Sequence, residues 1–137
     1  MADKTLTFAL MDPPFESARS TTALRLIDIA IEKGYDVNVF AYEGAVYLPF
    51  ALQKQHPNPV HGHPEAEDED HPLPREWVSA LIAAAEKNGV KLDWVNCGLC
   101  VDERGAAESI EGVRRGTPGD FWNMAETSDN TLVIPTS

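Results

Sequence analysis

Glu86-Lys87-Asn88-Gly89-Val90-Lys91-Leu92-Asp93-Trp94-Val95-Asn96-Cys97 sets the architecture. A charged helix end meets a glycine, and a short run rich in apolar residues follows. Glycine ends helices because it takes the left-handed conformation without strain. The run 90–96 then reads as a buried strand. The same order occurs earlier, as Glu32-Lys33-Gly34 followed by Tyr35-Asp36-Val37-Asn38-Val39-Phe40-Ala41-Tyr42. Helix, glycine, strand, twice over, is the rhythm of βαβ units rather than an internal repeat.

Working outward, Thr5-Leu6-Thr7-Phe8-Ala9-Leu10 reads as a first strand, short and largely apolar as in a parallel sheet. Asp12-Pro13-Pro14 ends it. Ser17, Ser20 or Thr21 can cap the next helix, whose Leu24, Ile27 and Ile31 share a face with Ala23 and Ala30 beside them. In the second strand Val37, Val39 and Ala41 point one way. A helix is predicted within 43–55, with Pro49 at a boundary or kink. Residues 75–88 form a further helix, with Trp77, Leu81, Ile82 and Ala85 on one side. The pattern predicts another helix over 106–115, where Arg114-Arg115 matches the helix C-terminal dipole. A short helix opens at Thr117-Pro118-Gly119-Asp120, and 131–135 is the last strand. The expected fold is a single three-layer α/β domain over 1–137, a mostly parallel sheet with helices on both faces.

The chain has 137 residues, enough for one core and too few for two ordinary domains. It is 43% hydrophobic, so it is not compositionally disordered. A net charge of −11 argues against nucleic acid and against anionic membrane surfaces. No apolar run approaches the ~20 residues of a membrane span, and the N-terminus does not read as a signal peptide. A soluble, cytoplasmic protein is expected. Much of the acidity is local, at Glu65, Glu67, Asp68, Glu69 and Asp70. The segment 56–74 also carries five prolines and four histidines, and reads as an exposed loop. His61-Gly62-His63 offers two imidazoles for a metal, with the cysteines as possible further ligands. The simpler reading is a solvated loop with no metal.

Cys97-Gly98-Leu99-Cys100 holds the only two cysteines. Two cysteines so close do not make the disulfide framework of a small secreted domain. In a reducing cytosol such a pair is catalytic, redox-active or metal-binding. Cys97 follows a strand and faces a helix start, where backbone N–H groups favour a thiolate. Arg104 is the nearest cation in sequence. The competing reading is a buried, inert cysteine. Three roles fit Cys100: a resolving thiol, a second sulfur carrier, or a bystander in the first helical turn. A thioredoxin motif follows an early strand, whereas this one comes two-thirds of the way along the chain. Ligands of parallel sheets sit beyond the carboxyl ends of the strands, and Asp12, Tyr42 and Cys97 all fall there. Asp12 to Glu16 either shapes a pocket around the thiol or is a plain turn. Tyr47, Phe121 and Trp122 lie on short irregular segments that suit a core or a subunit interface.

These residues together resemble the DsrE/DsrF/TusD-like sulfur-relay family, which includes the YchN-like proteins. The likeness runs through Thr22-Ala23-Leu24-Arg25-Leu26, Glu32-Lys33-Gly34, Val37-Asn38-Val39-Phe40, Cys97 with Arg104-Gly105, and Gly116-Thr117-Pro118-Gly119-Asp120-Phe121-Trp122. It implies a cytoplasmic sulfurtransferase-type carrier that holds sulfane sulfur as a persulfide on Cys97, with Arg104-Gly105 as the step that follows; Cys100 and Arg104 join Cys97 as the candidate site residues. It implies donor and acceptor proteins, no cofactor, and assembly as a homotrimer or homohexamer. Two features depart from the family pattern: Cys100 itself, and Glu103 where a second Arg is common. The alternative function is a non-catalytic module of the same fold that binds a partner or a metal, its thiols structural or redox-sensing.

Overall fold

The computed structural model describes residues 4–54 and 73–136. Five strands form one parallel sheet: β1 (Thr5–Leu10), β2 (Asp36–Ala41), β3 (Leu92–Cys97), β4 (Val113–Gly116) and β5 (Asn130–Ile134). Their order across the sheet is β4-β3-β2-β1-β5. Among the described residues four helices connect them: α1 (Ala18–Glu32), α2 (Pro74–Lys87), α3 (Gly98–Arg104) and α4 (Pro118–Thr127). A 3-10 turn at Glu43–Tyr47 follows β2.

The chain moves in one direction from β1 to β4, then returns across the whole sheet to β5. Crossovers between parallel strands are right-handed, so a reversed step puts its helix on the opposite face. The packing shows this. Leu24, Ile27 and Ile31 of α1 and Val78, Leu81 and Ala85 of α2 bury against Phe8, Leu10, Val37, Val39 and Trp94. Met124 of α4 joins Phe40, Val95, Cys97, Cys100 and Val101 on the other side. The alternation along β3 separates the two clusters, with Trp94 on one face and Val95 on the other. The α/β class and the two-sided helix cover are as expected from the sequence.

Local signals explain the element ends. Ser17 caps α1, its Oγ accepting from the Arg19 N–H at 3.1 Å. The Ser17 hydroxyl also donates to the Asp12 carboxylate, which ties the turn after β1 to the helix start. At α4 the Asp120 carboxylate accepts from the Thr117 N–H at 2.8 Å, a capping arrangement. Gly105 ends α3 in the left-handed conformation, with φ of 62°.

Two elements differ from the expected pattern, for one physical reason. The helix predicted within 43–55 is only the 3-10 turn at Glu43–Tyr47, and the helix predicted over 106–115 is absent. The backbones of the two segments bond to each other instead. The Ala51 N–H donates to the Glu108 carbonyl at 2.7 Å, the Ile110 N–H donates to the Pro49 carbonyl at 3.0 Å, and Phe50 bridges Ser109. Those groups are thus not free for helical bonds. The helix after Cys97 is α3, and residues 113–116 form the edge strand β4. Arg114 and Arg115 therefore lie on a strand and do not match a helix dipole. Arg114 makes a two-point bond to Asp93 of the neighbouring strand, at 2.9 Å each. The expected loop over 56–74, with its histidines and acidic run, lies outside the described residues apart from its end. There Leu73 is buried and Pro74 begins α2.

Gly116 is required by close approach. A Cβ there would stand 2.5 Å from Val95 Cγ1 and 2.6 Å from Asp120 Oδ2. Gly116→Ala should therefore destabilise the fold by about 1–3 kcal/mol, the usual range for overpacking. Gly119→Ala meets only Thr117 Oγ1 at 3.3 Å and serves as the comparison. Urea unfolding of both variants checks this. Equal stability of Gly116→Ala and the parent chain would contradict the packing of β4 against β3 and α4.

Candidate active site

Cys97 is the last residue of β3 and the N-cap of α3. Its strand position makes it nearly buried, at 6% exposure. It nevertheless lines an open cleft of about 380 Å³ at the carboxyl edge of the sheet. Leu99, Asp102, Arg115 and Thr117 line the same cleft. The pairing of β3 with β4 creates this arrangement, because Asn96 pairs with Arg115 and Cys97 with Gly116.

Arg115 bridges the cleft wall. Its Nη2 donates to the Gly98 carbonyl at 3.0 Å and to the Asp102 carboxylate at 2.9 Å. The hydrogen bond from Arg115 holds Asp102 below the usual carboxylate range. Asp102 in turn raises Arg115 further above its ordinary value, and negative charge on Cys97 acts in the same direction. A permanent cation thus lines the same cleft as Cys97, bonded to the carbonyl of the next residue. Sequence order offers Arg104 for this place, and the helical spacing of 106–115 hides Arg115. The signal was present: Gly112 and Thr117-Pro118 bracket a four-residue run too short for a helix.

Arg104 points elsewhere. Its Nη2 binds the Glu43 carboxylate at 3.0 Å, and both residues line a second cleft of about 500 Å³ with Met11, Pro13, Glu16 and Tyr47. The Tyr47 hydroxyl donates to the Arg104 carbonyl. Glu43 has a φ of 51°, a left-handed conformation uncommon for a residue with a side chain. Its N–H donates to Cys100 Sγ at 3.1 Å. Arg104 therefore reaches Cys100 only through Glu43. Asp12 is buried and bonded to Ser17, while Pro13 and Glu16 shape the second cleft rather than the first.

Cys100 is also nearly buried, at 9% exposure, and lines neither cleft. Burial pushes its thiol above the ordinary range. The Glu43 N–H opposes that, and a hydrogen bond with Cys97 and the charges of Cys97 and Glu43 add to it. Both cysteines are free thiols. Asn96, fully buried, anchors the region: Trp94 Nε1 donates to its Oδ1 at 3.2 Å, and its Nδ2 donates to the Val46 carbonyl at 3.2 Å.

Among the described residues no three His, Cys, Asp or Glu converge as a metal site. His61 and His63 lie outside those residues. Phe121, partly buried, packs on Phe40 of the second core cluster with ring centres 5.4 Å apart. Trp122 is 70% exposed.

The raised Cys100 pKa carries a pH dependence. Between the unfolded value, about 8.5, and the higher folded value, the folded chain binds more protons than the unfolded one. Stability is full below the unfolded value and is lost as pH rises through the folded value. Thermal midpoints measured from pH 7 to 10 should fall more steeply for the parent chain than for Cys100→Ala. Parallel profiles would contradict the burial of a protonated thiol.

Residues 4–134 match the DsrE/DsrF-like family. The uncharacterized protein MK0008 of Methanopyrus kandleri is 28% identical over 129 residues, covering 93% of this chain and 91% of the relative. The uncharacterized protein MJ0989 of Methanocaldococcus jannaschii is 29% identical over 132 residues, covering 93% and 97%. Among solved structures, the YchN protein of E. coli superposes with a TM-score of 0.65 at 22% identity, over 97% of this chain and 99% of that one. The BT1422 protein of Bacteroides thetaiotaomicron superposes at 0.58 with 13% identity, over 96% of each. Both share the fold of the five-stranded sheet. A family match across nearly the whole chain identifies it: the protein belongs to the DsrE/DsrF-like family.

Proposed function

We propose that the protein is a sulfur carrier in which Cys97 takes sulfane sulfur as a persulfide and passes it to a partner thiol. The observation that carries this reading is the placing of Cys97: it is the one cysteine that lines the cleft, and Arg115 lines it too, bonded to the Gly98 carbonyl. A thiolate is the nucleophile in sulfur exchange. The Cys97 thiolate attacks the outer sulfur of a donor persulfide, a sulfur–sulfur bond forms, and the donor leaves as its thiolate. Attack by an acceptor thiolate on the outer sulfur of Cys97 repeats the exchange and regenerates the free cysteine. Arg115 offsets the negative charge in both states. Membership of the family supports a relay role.

The reading places the protein in a reducing compartment, the cytoplasm, where Cys97 stays a free thiol. Among the described residues no helix is long and apolar enough to cross a membrane. Donor and acceptor proteins meet the cleft at its rim, where Leu99 is 71% exposed. Assembly as a homotrimer or homohexamer is part of the same proposal, with Trp122 and the rim near a subunit boundary that shields the persulfide.

Loading with inorganic polysulfide, followed by rapid alkylation and mass spectrometry, tests the reading. Trapped at the earliest times, the Cys97-containing peptide should gain about 32 Da, the mass of one sulfur, and in Cys100→Ala the gain should persist. Cys97→Ser should abolish the gain and leave the circular dichroism spectrum unchanged. Loading of Cys100 in Cys97→Ser would reverse the roles, and an unmodified chain with bound zinc would favour the binding-module alternative.

A further inference from the structure

We infer that the site carries a second reaction, in which Cys100 attacks the loaded Cys97 and releases the carried sulfur as sulfide. The inference rests on the carrier reading of Cys97 and assigns what the same site does next. The two thiols differ in place. Cys97 lines the first cleft, while Cys100, buried to a similar degree, lines neither of the two clefts and packs in the same buried cluster. An outside donor or acceptor therefore meets Cys97, and the group placed to meet Cys100 is Cys97.

The spacing permits the bond. Cys97 is the N-cap of α3 and Cys100 is its third residue. Residues three apart on a helix are neighbours, with β-carbons about 5–6 Å apart. A disulfide needs β-carbons roughly 3.5–4.5 Å apart, so a shift of about 1–2 Å closes the pair, whose thiols are already within hydrogen-bond reach. The Glu43 N–H aimed at Cys100 Sγ, at 3.1 Å, offers a hydrogen bond to the negative charge that develops on this sulfur as it loses its proton. Arg104 holds Glu43 in place through its carboxylate, which makes Arg104 a positioning residue.

In the reaction, Cys100 sulfur forms a bond to Cys97 Sγ. The bond between Cys97 Sγ and the carried sulfur breaks, and that sulfur leaves with the electron pair. It takes up the proton lost by Cys100 and departs as hydrogen sulfide through the cleft. The sulfane sulfur is reduced by two electrons, and the two thiols are oxidised to a disulfide. No outside oxidant is needed. An external dithiol reductant then restores both thiols. The partners implied are a persulfide donor and a dithiol reductant, and the net activity is reduction of sulfane sulfur to sulfide.

Single-turnover treatment with inorganic polysulfide tests this in the full chain. Trypsin yields Leu92–Arg104, which holds both cysteines in one peptide. In the parent chain this peptide should end about 2 Da lighter, with about one sulfide released per chain above the Cys97→Ser background. In Cys100→Ser and Cys100→Ala the peptide should instead retain the added sulfur and release none above that background. A parent chain that keeps the added sulfur and releases no sulfide overturns the inference and leaves the carrier reading intact. Equal sulfide release from the parent and the Cys100 variants also overturns it. Failure of parent and variants alike to load sulfur, with their folds intact by circular dichroism, overturns the carrier reading and the inference together.

Discussion

The parallel pairing of β3 with β4 is the constraint on which the site depends. β4 is an edge strand of four residues, and its register places Gly116 opposite Cys97 and Arg115 opposite Asn96. That register brings Arg115 into the cleft that Cys97 lines. Gly116 makes the approach possible, since any side chain there would meet Val95 and Asp120. Arg115 then fastens the start of α3 to the strand edge through Gly98 and Asp102. A short edge strand is weakly held by hydrogen bonds alone, and the Arg114–Asp93 contact with the capping of α4 at Thr117 adds anchors on either side.

A second set of contacts holds the inner thiol. The 3-10 turn after β2 meets α3 through three bonds: Glu43 N–H to Cys100, Arg104 to Glu43, and Tyr47 to the Arg104 carbonyl. The positive φ of Glu43 is a local cost of order 1–3 kcal/mol. It aims an N–H at a sulfur that is otherwise in an apolar cluster. The two arginines thus divide the work by position. Arg115 lines the cleft of Cys97 through its bonds to Gly98 and Asp102, and Arg104 binds Glu43, whose N–H meets Cys100.

Much of this was legible in the sequence. Buried strands with apolar alternation, such as Val37-Asn38-Val39, and glycine-ended helices carry strong signals, and they gave the α/β class and the place of Cys97 on the rim. The misreadings share a cause. Ala106, Ala107, Ile110 and Val113 are spaced as a helix face, and 43–55 is rich in helix-compatible residues. Tertiary hydrogen bonds between 49–51 and 108–110 override both patterns, and no local propensity contains them. β4 was hidden for a related reason. An edge strand of Val113-Arg114-Arg115-Gly116 buries one apolar side chain partly, so it shows almost no alternation. Losing β4 meant losing Arg115, and the nearest cation in sequence, Arg104, took its place in the sequence reading.

The central claim is a difference in place: Cys97 lines a charged cleft, and Cys100, buried to a similar degree, lines neither cleft. Timed alkylation of the native protein near neutral pH, with peptide mapping that separates the two cysteines, measures this difference directly. The account predicts that Cys97 is labelled first and that Cys100 reacts at a comparable rate only after denaturation. Equal labelling of both cysteines in the native state, or faster labelling of Cys100, would contradict it.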